Sequence, residues 1–354
     1  MPETVRSLAK RDGVDVVIES GAGDLAGHPD SQYAEAGATV GSREDALAAD
    51  LLLRVAVPTV EEAGALRSGQ WLISHLAPWT SAETNDALAR AGVTAIAMEA
   101  VPRTTRAQAM DALSSQATAA GYAATLIAAR ESGRFWGMLT TAAGTIRPAR
   151  VLVLGAGVAG LQAIATAKKL GAIVTGFDIR RAAWEQIGSL GGRPLELDFI
   201  PDAEGEGGYA RPLTDEENQQ VRDALDENAA KQDVIITTAA IPGRPAPTLI
   251  TGQGVANMGP GSVIVDLAAE TGGNCELTEP GQVVEKDGVR IVGPLNLASE
   301  LPGHASQLYA KNLENLLGLI LTEEGGVELN LEDDIIDAAT IAHAGEVRGE
   351  RTAR

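Results

Sequence analysis

Cysteine is almost absent: the 354-residue chain has one, Cys275, which excludes a disulfide framework and a multi-cysteine metal site. Basic charge is scarce too. There are 28 Lys and Arg, six of them Lys, against 48 Asp and Glu, a formal net charge of −20. Phosphate-backbone binding needs a basic footprint, so a general nucleic-acid binder is excluded, as is docking on anionic lipid through a polybasic face. No apolar run approaches the roughly 18 residues needed to cross a bilayer, and the opening MPETVRSLAKRDG is too polar for a secretory signal. What is present is a globular composition, 45% hydrophobic and 21% charged. At about 150 residues per domain, the length suggests two domains. Few Lys with many Asp and Glu is also what a salt-rich, reducing cytoplasm favours, a statement about solubility and not about fold.

Short apolar runs alternate with helical patterns along the chain. Residues 14–19 (VDVVIE), 50–57, 71–76 and 93–98 read as strands, and 42–49 and 81–91 as helices between them. Thr80 and Glu83 have the spacing of a capping box for the second helix. Residues 107–130, Ala-rich and without Pro, read as one long helix. Residues 151–154 (VLVL) form a strand, followed by a helix to about Leu170 and a second strand at 172–177. Strands at 234–237, 262–266 and 290–292 continue the series. The alternation implies parallel sheets. The acidic, Gly-rich stretch 198–219 is long for a loop, the kind that is functional or mobile. Residues 305–323 read as a final amphipathic helix with Tyr309, Leu313, Leu316, Leu317 and Ile320 on one face, and the chain from Glu324 reads as a polar tail. The expected fold is α/β, with two doubly wound parallel-sheet domains joined by long helices and a cleft between them. One domain would comprise 1–129 with 305–354, the other 130–304.

The segment Gly155-Ala156-Gly157-Val158-Ala159-Gly160 follows a strand and opens a helix, and Asp178 ends the next strand 18 residues after Gly160. That context turns a weak glycine pattern into the full dinucleotide-binding fingerprint. Gly155 allows the tight turn, Gly157 lets a pyrophosphate approach the backbone, and Gly160 lets helix and strand pack. The helix N-terminus presents N–H groups and partial positive charge to the phosphates. Asp178 would accept hydrogen bonds from the adenosine ribose. A carboxylate there repels a 2′-phosphate, so NAD(H) is favoured over NADP(H), a preference that the nearby Arg180 and Arg181 temper.

Residues 153–192 (VLGAGVAGLQAIATAKKLGAIVTGFDIRRAAWEQIGSLGG) closely resemble the alpha subunit of proton-translocating NAD(P) transhydrogenase and the related alanine dehydrogenases. Further matching blocks are MEAVPRTTRAQAMDALSSQ at 98–116, GGYA at 207–210, ITTAAIPGRPAP at 236–247, SVIVDLAAETGGNCE at 262–276 and ASQLYAKNL at 305–313. The resemblance covers nearly the whole chain from Pro2, and the RAQAMD and GGYA blocks are its transhydrogenase-like parts. It implies a nicotinamide-side set: Arg103 for the ring amide or a phosphate, Asp111 to orient Arg103, and Gln108 and Ser114 for the carboxamide and ribose. Gln108, Asp111 and Ser114 recur at i, i+3 and i+6, roughly one helical face. The resemblance also implies that Gly208 and Tyr209 belong to a loop closing over the nucleotide. Val158, Ile179, Arg180, Thr238 and Ala239 would join the glycines and Asp178 at the cofactor. It implies no resident metal, NADP(H) on a membrane-embedded partner subunit, a homodimer, and a place at the inner face of the cell membrane through that partner. Family members carry a further strand ahead of this start, so the first domain is expected to lack it.

Two other readings stay open. Alanine dehydrogenase needs a general acid/base and groups for a carboxylate. His75, in His75-Leu76-Ala77-Pro78, resembles that enzyme's catalytic segment. Against this, Arg54 stands where its carboxylate-gripping lysine is expected, and Glu270 where it has Asp. A non-catalytic NAD(H)-sensing module is the other. His28, His304 and His343 have no partner that sequence identifies.

Overall fold

A computed structural model describes residues 1–197, 199, 203, 205, 211–240 and 243–349. By its internal contacts the chain forms two compact units, Met1–Gln116 with Pro302–Arg354, and Ala117–Leu301.

The second unit is built on a seven-stranded sheet. In space the strands run Arg193–Pro194, Ile173–Phe177, Arg150–Leu154, Val234–Thr237, Val263–Asp266, Val289–Val292 and Val283–Lys286. Every neighbouring pair is parallel except the last. The first of these strands in sequence, Arg150–Leu154, therefore sits inside the sheet, third of the seven, where strand order reverses. Open α/β sheets bind ligands at that point, beyond the strands' carboxyl ends. Val151 to Leu154, Val234 to Ile236 and Val263 to Val265 are all buried. A strand covered on both faces shows an unbroken apolar run instead of alternation. The helix Val158–Lys169 places Ala163, Ile164 and Ala167 in the core with Val151 and Val153. The helix Asp215–Ala229 places Val221, Leu225 and Ala229 in the core with Leu152 and Leu154, the opposite face. Thr214 and Glu217 start it with a reciprocal capping box.

In the first unit, Leu51–Leu53, Trp71–Ser74 and Thr94–Ala97 are parallel. Thr340–His343 then pairs antiparallel with Thr94–Ala97, and Glu346–Val347 lies outside it. A separate parallel pair joins Val17–Glu19 to Thr39–Gly41. One face of the larger sheet packs Ile73 and Ile96 with Tyr309, Leu313, Leu316 and Leu317 of the helix Pro302–Leu317. The α/β architecture with parallel, Rossmann-like sheets is as the sequence implies.

Several local readings need correction. The stretch expected as one helix over 107–130 is two elements, a 3₁₀ helix Thr105–Met110 and an α-helix Ala112–Glu131. Between them Asp111 has φ −73° and ψ 88°, and its carboxylate accepts the Ser114 N–H at 2.8 Å. A side-chain acceptor has replaced the backbone one, the usual reason that Asp starts helices. The final amphipathic helix ends at Leu317, ahead of Gly318. Ser81, not Thr80, holds the cap position of the helix Ala82–Arg90, without a side-chain cap bond. The stretch read as a polar tail contains the helix Asp334–Ala339 and two strands, with Ile335, Ile336, Ile341 and Ala342 buried. An exposed hairpin, Leu139–Thr141 with Gly144–Ile146, was not foreseen.

Candidate functional site

The glycine turn leaves the strand Arg150–Leu154 of the second unit at its carboxyl end. Gly155 has φ +93°, and a Cβ there would lie 2.7 Å from Thr238 Oγ1. A Cβ on Gly160 would meet Gly155 O at 1.8 Å and Thr238 Oγ1 at 2.9 Å. Neither position tolerates a side chain. At Gly157, by contrast, a Cβ would meet nothing within 4 Å. Gly157 caps the helix Val158–Lys169 with no side-chain cap bond, so no side-chain cap serves the first-turn N–H groups, and the space beside Gly157 is open to an anion. Val158, 37% exposed, lies beside this opening.

Asp178 directly follows the adjacent strand Ile173–Phe177 and is 8% exposed. Its Oδ2 accepts from Ala156 N–H at 2.8 Å, tying it to the turn. Arg180 engages both oxygens, Nε to Oδ1 at 2.9 Å and Nη2 to Oδ2 at 2.8 Å, and the Arg180 N–H adds a bond to Oδ1 at 2.9 Å. A carboxylate offers about four lone-pair sites, and these four donors occupy them. A ribose hydroxyl must therefore share or displace the Arg180 contacts. Trp184 Nε1 donates to Asp178 O at 3.0 Å and fixes the strand end. Ile179 is half-buried against the neighbouring core. Thr238 lies on the other side of the turn, with Oγ1 donating to Gly155 O at 3.0 Å, and Ala239 follows it. Gly155, Gly157, Val158, Gly160, Asp178, Arg180, Thr238 and Ala239 are thus gathered beyond the carboxyl ends of three neighbouring strands. Gly208 and Tyr209 lie outside the described residues.

In the first unit, Asp111 organises part of the expected nicotinamide-side set. Its Oδ2 accepts from Ser114 Oγ at 2.6 Å, and Arg103 Nε lies 3.9 Å from that same oxygen. Arg103, Asp111 and Ser114 are brought together by the helix cap. Gln108 is exposed on the preceding 3₁₀ turn, so it does not share their helical face. That turn is anchored at Ala109 O, which accepts from Asn312 Nδ2 at 2.9 Å and Asn315 Nδ2 at 3.2 Å. Sequence reasoning passed over both Asn residues, although they stand beside Leu313 and Leu316 in a helix read only for its apolar face.

Arg54, His75 and Glu99 follow three successive parallel strands of the first unit. His75 Nδ1 is 3.6 Å from Glu99 Oε2 and stacks on Tyr309 at 5.1 Å between ring centroids. Glu99 Oε1 accepts from the N–H groups of Leu76 and Ala77, at 2.8 and 2.5 Å. Its Oε2 is buried without a hydrogen-bond partner. Burial, and then the charge of Glu99, push the Tyr309 phenol above its ordinary range. It stays protonated and donates to Arg54 O at 2.7 Å. Arg54 pairs with Glu62 at 3.1 Å, and Glu270 Oε1 accepts from the Asn296 N–H at 2.6 Å. The buried Cys275 thiol is pushed up to about 11 by burial, so it is no thiolate nucleophile at neutral pH. Among the described residues no group of His, Cys, Asp and Glu is placed to hold a metal ion. No helix among them is long and apolar enough to cross a membrane.

The sequence matches the alanine dehydrogenase/PNT N-terminal domain over residues 1–120 and the C-terminal domain over 124–350. The NAD(P) transhydrogenase subunit alpha of Haemophilus influenzae is 44% identical over 347 residues, covering 98% of this chain and 68% of that protein. The crystal structure of transhydrogenase from Sinorhizobium meliloti has a TM-score of 0.89 at 46% identity, covering 98% of this chain and 95% of that one. Alanine dehydrogenase of Mycolicibacterium smegmatis is more distant, 33% identical over 285 residues, covering 79% of this chain and 70% of that protein. The chain belongs to the alanine dehydrogenase/PNT family, and within it is more similar to the transhydrogenase alpha subunits than to the alanine dehydrogenases.

Proposed function

We propose that the chain is the NAD(H)-binding component of a proton-translocating NAD(P) transhydrogenase, and that hydride passes from NADH here to NADP⁺ on a partner subunit. The observation that carries this reading is the open space at Gly157 beside the buried carboxylate of Asp178. Bound NADH supplies a hydride and leaves as NAD⁺, while NADP⁺ on the partner becomes NADPH. The N–H groups from Gly157 to Gly160 hold the pyrophosphate. Asp178 accepts from the adenosine ribose hydroxyls, and Ile179 and Arg180 border that half. Thr238 and Ala239 border the other half. Arg103, held by Asp111, steadies the nicotinamide end, with Gln108 and Ser114 as its hydrogen-bonding groups and Gly208 and Tyr209 in the closing loop. Direct transfer between two nicotinamide rings needs alignment and exclusion of water, not an acid or a base. Proton movement then belongs to membrane-embedded partner chains, which keep this component, as a homodimer, at the cytoplasmic face.

The purified protein should bind NADH more tightly than NADPH. Mixed with the NADP-binding partner, it should exchange hydride with a nicotinamide analogue. Tighter NADPH binding overturns the cofactor assignment. NADH binding without exchange overturns the transfer role and favours a sensing module. The His75–Glu99 pair favours one second reading, alanine dehydrogenase. Robust NADH production from L-alanine and NAD⁺ by the protein alone would establish it in place of ours.

A further inference from the structure

Asp266, at the end of Val263–Asp266, is fully buried. Its Oδ1 accepts from Thr237 Oγ1 at 2.8 Å and Ala268 N at 3.0 Å. Its Oδ2 accepts from Asn274 N at 2.7 Å, Cys275 N at 3.0 Å and Thr278 Oγ1 at 2.7 Å. A buried charge is tolerated when donors surround it. Here the donors wrap the loop that follows the strand around the carboxylate, with Gly273 at φ +83° making the turn. The wrapping places Asn274, also fully buried, against the end of the neighbouring strand. Its Oδ1 accepts the Ala239 N–H at 3.0 Å, and its Nδ2 donates to Ala239 O and Pro247 O, both at 2.8 Å. One amide thus clasps both polar groups of residue 239. The preceding residue, Thr238, fills the space beside Gly155 and Gly160.

We infer that Asn274, seated by Asp266, is a positioning residue that sets Thr238 and Ala239 against the nicotinamide half of the nucleotide. The inference rests on the nucleotide reading above. Asp178 lies to one side of the glycine turn and takes the adenosine ribose, so the strand on the other side, Val234–Thr237, which Thr238 follows, borders the other half. The Ala239 N–H is used by Asn274, so that residue shapes the wall instead of donating to the ligand. Loss of the clasp loosens this side alone and leaves the Asp178 side intact.

The test compares NADH with AMP, which carries only the adenosine half, by titration calorimetry. Asn274→Ala should raise the Kd for NADH about tenfold, equivalent to about 1.4 kcal/mol, and leave AMP within about twofold. Equal weakening of both ligands, or no weakening of NADH, overturns the inference. Asn274→Asp gives an independent signature if the alanine variant does not fold. The new carboxylate would keep the bond from the Ala239 N–H but face the carbonyls of Ala239 and Pro247. Burial and the charge of Asp266 would raise its pKa, and protonation would restore one donor. NADH affinity relative to the unsubstituted protein should therefore recover at least about threefold between about pH 8 and about pH 6. A ratio independent of pH counts against the inference. If the unsubstituted protein binds no NADH, the nucleotide reading fails and this inference with it. If it binds while the variants behave as it does, only the positioning role fails.

Discussion

At the scale of single residues, the pairing of Asp178 with Arg180 decides how the nucleotide preference should respond to substitution. The carboxylate is 8% exposed, and Arg180 spans both of its oxygens. Asp178→Ala should weaken NADH, by about tenfold for a lost charged hydrogen bond, and weaken NADPH less, because repulsion of the 2′-phosphate goes too. Arg180→Ala should act in the opposite sense. The cation that offsets Asp178 is gone, so the ratio of NADPH to NADH dissociation constants should rise. Fluorescence titration of both nucleotides on both variants checks the pair, and a ratio that moves the same way in each would refute the electrostatic account. Gln108 calls for a kinetic measurement, since it is exposed on its 3₁₀ turn. Gln108→Asn should slow hydride transfer with the partner more than it weakens NADH binding, and the reverse would remove its positioning role.

At the scale of elements, the start of the helix Ala112–Glu131 joins stability to the site. Asp111 caps the helix through Ser114 and also faces Arg103. Asp111→Ala should lower unfolding stability by about 1 kcal/mol and impair hydride transfer. Asp111→Asn should keep the cap and the stability, and impair only the transfer. Denaturant melts beside transfer rates separate the two effects. The same helix marks a limit of sequence reading. Ala, Gln and Met continue a helical pattern through 107–110, and nothing local announces that the Asp111 side chain will outcompete the backbone. The GAGVAG turn was legible because strand, glycines and helix are contiguous, with the acidic residue close behind. The strand Thr340–His343 was not, since its partner Thr94–Ala97 is remote in sequence. Asn274 was hidden likewise, because its meaning lies in the backbone of Ala239. The helix Asp334–Ala339 offers a pH test. Hydrogen bonds from Arg106, ahead of the smaller contributions from the Ile335 and Ile336 N–H groups, hold its cap Asp333 at about 2 against an ordinary 3.8. A depressed carboxylate stabilises the fold above its unfolded value and stops doing so as pH falls through its folded value. Arg106→Ala should therefore lower Tm most at neutral pH, and the gap to the unsubstituted protein should narrow from about pH 4 toward about pH 2. A gap that is constant across that range would mean the ion pair contributes nothing through titration.

At the scale of the whole molecule, the acidic excess is the property to test. With 48 acidic and 28 basic residues, 20 carboxylates are left without a basic counterpart even if every Lys and Arg were paired. The ion pairs formed are mostly between partly exposed side chains, such as Arg106 with Asp333 and Arg348 with Asp337. Pairs of that kind contribute at most about 1 kcal/mol each, so they do not offset repulsion spread over the molecule. The proposed nucleotide site escapes this constraint. Backbone N–H groups at Gly157 to Gly160 can meet phosphates without any basic surface, so a strongly acidic chain can still hold an anionic cofactor. Two salt responses follow. Raising KCl from about 0.05 M to about 1 M shortens the screening length to about 3 Å and relieves self-repulsion, so Tm should rise by several degrees or more. NADH affinity should hold or rise over the same range, because the backbone donors proposed for its phosphates carry no net charge and the general repulsion of the anion by the acidic chain is screened. Calorimetric melts and NADH titrations across one KCl series measure both. A Tm that stays flat or falls would show that the acidic excess does not govern stability, and NADH affinity that collapses with salt would place the phosphates on Arg or Lys side chains instead of the glycine turn.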